Sequence, residues 1–192
     1  MSDKRILVKN KAPLLKNYLI PGIGFGGSCF PKDVEGIKKT LNNKKINNSF
    51  LKSILNINKE SLKHGLKIIR KNFNKSSKIC ILGAAFKENS DDTRESRTIY
   101  IANKLTKEKF NFDIIDPKVK KLNSYNCKLF KEKNLKKYKY FILMTRWKIF
   151  NRLYNMDFDH NVKIIDFRRY FSQEKFKSKR IKLISIGNSS LI

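Results

Sequence analysis

The sequence predicts an α/β chain in which a helical arm precedes a doubly wound, mainly parallel sheet. Three observations lead there. From about residue 76 onward, short apolar runs such as Ile79-Cys80-Ile81-Leu82 alternate with stretches of helical periodicity; strands joined by crossover helices give that pattern. Between Ser49 and Phe73, the residues Leu51, Ile54, Leu55, Leu62, Leu66, Ile69 and Phe73 recur at spacings that build one apolar face of a long helix. Ahead of both, Gly22, Gly24, Gly26 and Gly27 fall within six positions and run into Ser28-Cys29-Phe30-Pro31-Lys32-Asp33.

The elements follow in order. Met1 to Leu19 is a polar lead-in, and the glycine loop comes next. Pro31 suits the first turn of a helix, where its missing N–H is not needed, so a short helix is expected from Pro31 to about Thr40 with Val34, Ile37 and Leu41 on one side. Asn42 to Asn48 reads as a polar hinge, and Ser49 as the N-cap of the long helix. Strands are expected at Lys78 to Gly83, Phe112 to Asp116, Tyr140 to Met144 and Val162 to Asp166, with a fifth at Ile181 to Ile186. Helices are expected at Ser96 to Phe110 and around Trp147 to Leu153. The organisation is thus 1–75, the glycine–cysteine loop and helices, and 76–192, the α/β domain.

Composition narrows the function. The chain has 192 residues, 40% of them hydrophobic, enough for a core. It contains no run of about 18 apolar residues, and Met1 to Lys16 lacks the features of a signal peptide. Three cysteines at irregular spacing make neither a disulfide framework nor a metal site, and a cytoplasmic location is expected. The net charge of +28 invites a polyanion partner. However, lysines outnumber arginines 35 to 9 and are spread along the chain. Lys, Asn and Ile are all favoured by A+T-rich coding, and no nucleic-acid-binding motif is present, so neither a specific nucleic acid nor a membrane is expected as partner.

Gly22-x-Gly24-x-x-Gly27 matches a dinucleotide fingerprint letter by letter, but the context fails. That fingerprint follows a buried strand and precedes an acidic residue by about 20 positions; here Pro21 interrupts any strand, and no acid occurs between Glu35 and Glu60. The loop instead presents Cys29 at a helix mouth beside Lys32, a setting that favours a thiolate. Cys29 is therefore the candidate nucleophile, and Asp33, one turn later, is placed to orient or activate water. Cys80 and Cys127 read as packing residues, as does Trp147. Asp91 and Asp92 read as loop charges with no third ligand for a metal. His64 and His160 read as solvent-exposed and without chemical partners.

Gly24-Phe25-Gly26-Gly27-Ser28-Cys29-Phe30-Pro31-Lys32-Asp33 resembles the catalytic motif of the UDP-glucose/GDP-mannose dehydrogenases. Gly83-Ala84-Ala85-Phe86-Lys87, followed by Asp91-Asp92-Thr93-Arg94-Glu95-Ser96, resembles a second motif of that family, with weaker echoes at Asp116-Pro117, Thr145-x-Trp147 and Asp166-Phe167-Arg168. The resemblance implies NAD-dependent oxidation of a nucleotide sugar, UDP-glucose to UDP-glucuronate, through a thiohemiacetal and a thioester on Cys29. Ser28, Phe30 and Lys32 look more like the UDP-glucose branch, with GDP-mannose as the alternative substrate. By the same resemblance, Tyr18, Leu19, Ile20, Pro21, Gly22, Gly26 and Lys87 bind substrate, and Lys32 and Arg94 face the cofactor.

Two departures from the pattern stand out. Phe167 occupies the place of a family glycine, and the family's N-terminal NAD-binding Rossmann domain has no counterpart among the 17 residues before Tyr18. The resemblance therefore implies the C-terminal part of such an enzyme, its sheet Rossmann-like and UDP-binding. Its expected partners are the nucleotide-sugar substrate, a second copy through the long helix, and a separate N-terminal Rossmann half. The alternative expectation is a non-catalytic module that binds nucleotide sugars and dimerises.

Overall fold

A computed structural model describes residues 22–187. Two helices form the arm: α1, Phe30–Asn43, and α2, Ser49–Asn72. Both show how apolar spacing meets its partners. In α1, Val34 is buried and Leu41 half-buried, while Ile37 stays exposed. In α2 the stripe divides along its length. Leu62, Leu66, Ile69 and the following Phe73 join the main core, whereas Leu51, Ile54 and Leu55 are only half-buried and Phe50 and Ile57 are exposed. The second half of the helix is therefore the part committed to the α/β domain.

The sheet contains seven strands: β1 (Ile79–Leu82), β2 (Phe112–Ile115), β3 (Lys121–Leu122), β4 (Tyr125–Lys128), β5 (Tyr140–Leu143), β6 (Val162–Asp166) and β7 (Ile181–Ser185). Their order is β3-β4-β2-β1-β5-β6-β7, and every pairing is parallel except β3 with β4. Helix α3, Arg97–Lys107, crosses from β1 to β2 and caps its N-terminus with Ser96, whose side chain accepts from the Thr98 N–H. The four residues of β1 are fully buried, as suits a central parallel strand covered on both faces. The chain leaves β1 toward β2 on one side and reaches β5 on the other, so a topological switch point lies beside β1, where open α/β sheets form their ligand crevice.

Several sequence expectations need correction. Asn48 rather than Ser49 precedes the first helical residue of α2, and it is 5% exposed, donating to the Lys38 carbonyl. Helix α1 runs on to Asn43, into the expected hinge. The β3–β4 hairpin was not anticipated, because its alternating polar residues lack the apolar run of a central strand. The segment after Trp147 is a 3-10 helix, Lys148–Asn155. His160 is not free of partners: one ring nitrogen lies 2.6 Å from Asp159 and the other 3.1 Å from the Tyr138 carbonyl.

On β2, Asp113 receives Lys78 and Lys128, each at 2.9 Å, and the Tyr138 hydroxyl. Desolvation raises its pKa, but the hydrogen bonds from Tyr138, Lys128 and Lys78 outweigh that and lower it to about 2. A folded-state pKa below the unfolded value of about 3.9 contributes stability that is present above that value and lost as the pH falls through about 2. Asp113→Asn should therefore cost on the order of 2 kcal/mol at about pH 6 and much less at about pH 2; urea midpoints across this range check it, and a pH-independent cost would contradict it.

Candidate active site

The glycine loop is clamped to α2 by the Asn58 side chain, and its Ile23 is buried beside Gly65 of that helix. The Phe25 N–H donates to Asn58 Oδ1 at 2.8 Å, and Asn58 Nδ2 donates back to the Phe25 carbonyl at 3.2 Å. The fit leaves no room for a side chain at Gly24, which has φ +104°: a Cβ there would lie 2.3 Å from Asn58 Oδ1. Beyond the clamp, the Phe25 ring meets the Phe30 ring edge-on at 4.5 Å, and the Gly27 N–H donates to the Arg94 carbonyl at 3.2 Å. The loop is thus tied to the helical arm on one side and to the segment before α3 on the other.

These ties place Cys29 at the mouth of α1, as its N-cap, with Pro31 in the first turn. Its thiol is exposed, and Ser28 Oγ lies 3.6 Å from Sγ. Asp33 follows one turn on, its N–H donating to the Cys29 carbonyl at 2.8 Å. The Asp33 carboxylate is 60% exposed and 3.9 Å from Lys32 Nζ.

Two cavities meet at Cys29. The first, about 480 Å³, is lined by Gly22 through Phe30, Ala85 to Lys87, Ser96 to Thr98, Met144 and Arg168. The second, about 760 Å³, is lined by Ser28, Cys29, Lys32, Thr93, Arg94, Glu95, Ile99 and Asn123. Gly22, Gly26 and Lys87 therefore share one cavity, Lys32 and Arg94 the other, and Cys29 both. Asp33 lines neither. Tyr18, Leu19, Ile20 and Pro21 lie outside the described residues.

The floor of the first cavity is a loop whose backbone groups are met by side chains. Ala84 and Ala85 donate to the fully buried Asp116, which also accepts from Lys118 and Val119. The carbonyls of Gly83, Ala84 and Ala85 accept from Thr98, Ser96 and Thr145. Side chains from three elements thus fix the turn that carries Lys87, whose ammonium lies 5.4 Å from the Phe86 ring centre. Arg94 is locked differently: its guanidinium forks onto Asp92 at 2.7 to 3.1 Å. Hydrogen bonds from the Arg94 side chain and backbone lower the Asp92 pKa to about 2.

Sequence reasoning missed Asn58. Its signal was a polar residue within an otherwise apolar stripe, three positions after Leu55 and four before Leu62. Arg168 had appeared only as a weak motif echo, and Arg97 not at all.

A doubly wound, mostly parallel α/β sheet joined to an exposed cysteine on a glycine loop at a helix mouth defines the class of protein. The family then follows from comparison. Residues 80–173 match the UDP binding domain of the UDP-glucose/GDP-mannose dehydrogenase family, and residues 5–60 match that family's central domain. The chain belongs to this family.

It is 37% identical over 115 residues to a UDP-glucose 6-dehydrogenase of Caenorhabditis elegans, covering 57% of this chain and 24% of that protein. It is 29% identical over 186 residues to the UDP-glucose 6-dehydrogenase of Rickettsia prowazekii, covering 90% of this chain and 43% of that one. Among solved structures, a ternary complex of GDP-mannose dehydrogenase from Pseudomonas aeruginosa shares the fold with TM-score 0.73 at 21% identity, covering 91% of this chain and 43% of that chain. The chain spans less than half the length of these relatives.

Two outcomes are expected. Cys29 should be the thiol alkylated first, because Cys80 is fully buried and its pKa is raised by desolvation, and desolvation likewise pushes half-buried Cys127 up to about 11. Mass-resolved labelling reads the order, and faster labelling of Cys127 would contradict it. Asn58→Ala strands the Phe25 N–H and carbonyl, and should cost about 2 kcal/mol. It should also speed hydrogen exchange across the glycine loop more than across β1; unchanged exchange at Phe25 would refute the clamp.

Proposed function

We propose that this chain carries the thiol and nucleotide-sugar side of a nucleotide-sugar dehydrogenase site, with UDP-glucose as substrate and GDP-mannose as the alternative. Residues 1–75 supply the cysteine loop and helices, and 76–192 the UDP-binding domain. One observation carries the reading: Cys29 stands where two cavities meet, one bordered by the glycine loop, Lys87 and Arg168, the other by Lys32 and Arg94. Cations on both sides suit ligands that each carry phosphates.

In this reading Gly22, Gly26 and Lys87 border the sugar nucleotide, with Tyr18 to Pro21 extending that site. The Cys29 thiolate adds to the aldehyde-level carbon of the substrate to form a thiohemiacetal, and after loss of hydride it holds the acyl group as a thioester. Water oriented by Asp33 hydrolyses that thioester, releasing the carboxylate and restoring the thiol. NAD, when bound, supplies the hydride acceptor. The second cavity suits its phosphate-facing portion, where Lys32 is only loosely paired, 3.9 Å from Asp33, and Arg94 is held closely by Asp92.

The arm has a role in the same reading. Ile37, Ile46, Phe50 and Ile57 are each more than half exposed on the α1–α2 hairpin, and a second copy of the chain through α2 is the occupant we assign to them.

The 192-residue chain alone should form no NADH from UDP-glucose and NAD, while UDP-glucose should slow alkylation of Cys29. Turnover by the purified chain would refute the first statement, and unprotected Cys29 at saturating UDP-glucose would refute the assignment of the first cavity.

A further inference from the structure

The charges around the first cavity are one-sided. Lys87, Arg97 and Arg168 line it, and no Asp or Glu among the described residues does. Two of these cations are well buried, and the carboxylates nearest them do not line the cavity. Arg168 has a buried Nε with no hydrogen-bond partner among the described residues; the nearby Arg146 guanidinium repels it, and Glu88 and Asp166 offset that only in part. Arg97 opens α3 with its side chain only 16% exposed. Its nearest carboxylate oxygen, on Glu95, is 3.4 Å away on a side chain that is 64% exposed and borders the other cavity. Arg97 otherwise donates to the Glu95 carbonyl, at 3.2 Å from Nε and 3.1 Å from the terminal nitrogen.

A cation removed from water without a close counter-charge is costly, and an anionic ligand is what offsets that cost. Desolvation lowers the pKa of both Arg97 and Arg168, more than Glu95 on the one and Glu88 and Asp166 on the other raise it. The placement of Arg97 is held from two sides. Glu95 adopts φ +51°, in the left-handed region, and its carbonyl, which anchors the guanidinium, abuts Gly26: a Cβ on Gly26 would lie 2.2 Å from that oxygen and 3.4 Å from Arg97 Nε. The guanidinium is thus wedged against the glycine loop at the edge of the cavity that holds Cys29.

We infer that Arg97 is an anion-binding residue of this cavity, a third cation that joins Lys87 and Arg168 in holding the diphosphate of a nucleoside-diphosphate ligand. This rests on the reading of the first cavity as the nucleotide-sugar site. A guanidinium offers two parallel N–H donors to a phosphate and stays charged where a lysine would lose its proton on burial. A neutral ligand would leave three cations facing one another, so the cavity selects by charge before it selects by shape.

The test uses the full chain at low salt with three probes: UDP, inorganic pyrophosphate and uridine. UDP and pyrophosphate should raise the thermal midpoint and uridine should not. Arg97→Gln should weaken UDP binding by about tenfold in titration calorimetry, with its ligand-free midpoint close to that of the parent, and Arg97→Lys should recover part of the loss. Arg152→Gln, which removes an exposed arginine paired with Glu132, should leave affinity unchanged.

The outcomes separate the claims. UDP binding to Arg97→Gln within about twofold of the parent, or an equal loss in Arg152→Gln, overturns the role of Arg97 and leaves the nucleotide-sugar reading standing. Pyrophosphate binding that depends on Arg97, without any UDP binding, keeps the anion site and overturns the nucleotide reading. Binding of neither probe overturns both.

Discussion

The two-way hydrogen bond between Asn58 and the backbone of Phe25 is the constraint on which the site depends. A glycine-rich loop has little packing of its own: Ile23 alone of its first six residues is a buried apolar side chain. Asn58 supplies the missing anchor from a rigid helix. It satisfies a donor and an acceptor of one residue, which fixes both the position and the orientation of the strand of backbone leading to Cys29. Gly24 is the complement of that anchor: any Cβ there would displace Asn58. The thiol therefore inherits its place from α2, four residues of loop away.

The opposite wall of the cavity is rigid for a different reason. Around Gly83 to Ala85 the backbone turns out of β1 and can no longer bond to neighbouring strands. Asp116, Ser96, Thr98 and Thr145 take over those bonds. Asp166 does the same at the end of β6, accepting from Arg168, Tyr170 and Phe171 at 2.7 Å each. Both carboxylates are fully buried and spend their oxygens on backbone N–H groups, so neither is free to pair with Arg168 or Lys87. The fold satisfies these buried acids with backbone donors rather than with the cations of the cavity.

Much of this was legible in the sequence because the signals were local. Buried parallel strands such as Ile79–Leu82 announce themselves as short apolar runs, and the Cys29 loop by its glycines and by Pro31. Strands outside the central core do not: Tyr125–Lys128 alternates half-buried and exposed residues, and its identity as a strand depends on pairing with β2 and β3. The missed site residues share that character. Asn58 acts across a separation of 33 residues, and in the sequence it only interrupts an apolar stripe. Arg97 follows a capping serine and reads as an ordinary surface charge on the first turn of a helix; its burial comes from the glycine loop folding over it. His160 gained its contact to Tyr138 in the same way, through the sheet. Residues whose role is set by a distant backbone segment leave no periodicity to read.

Helix α2 joins these themes. Its second half is buried against the sheet through Leu62, Leu66 and Ile69, while its first half keeps Phe50 and Ile57 in the open. Asn58 sits at the boundary, one residue beyond the last exposed apolar side chain of the helix. A rigid helix carries a displacement along its axis without absorbing it, so whatever packs on the exposed half acts on the same rod that holds Phe25. Burial of that half also removes apolar surface from water at about 25 cal/mol per Å², which favours one orientation of the rod over the ensemble an unpacked arm samples. Cys29 and the exposed half of the arm thus share one helix, joined to the glycine loop by Asn58 and by buried Ile23.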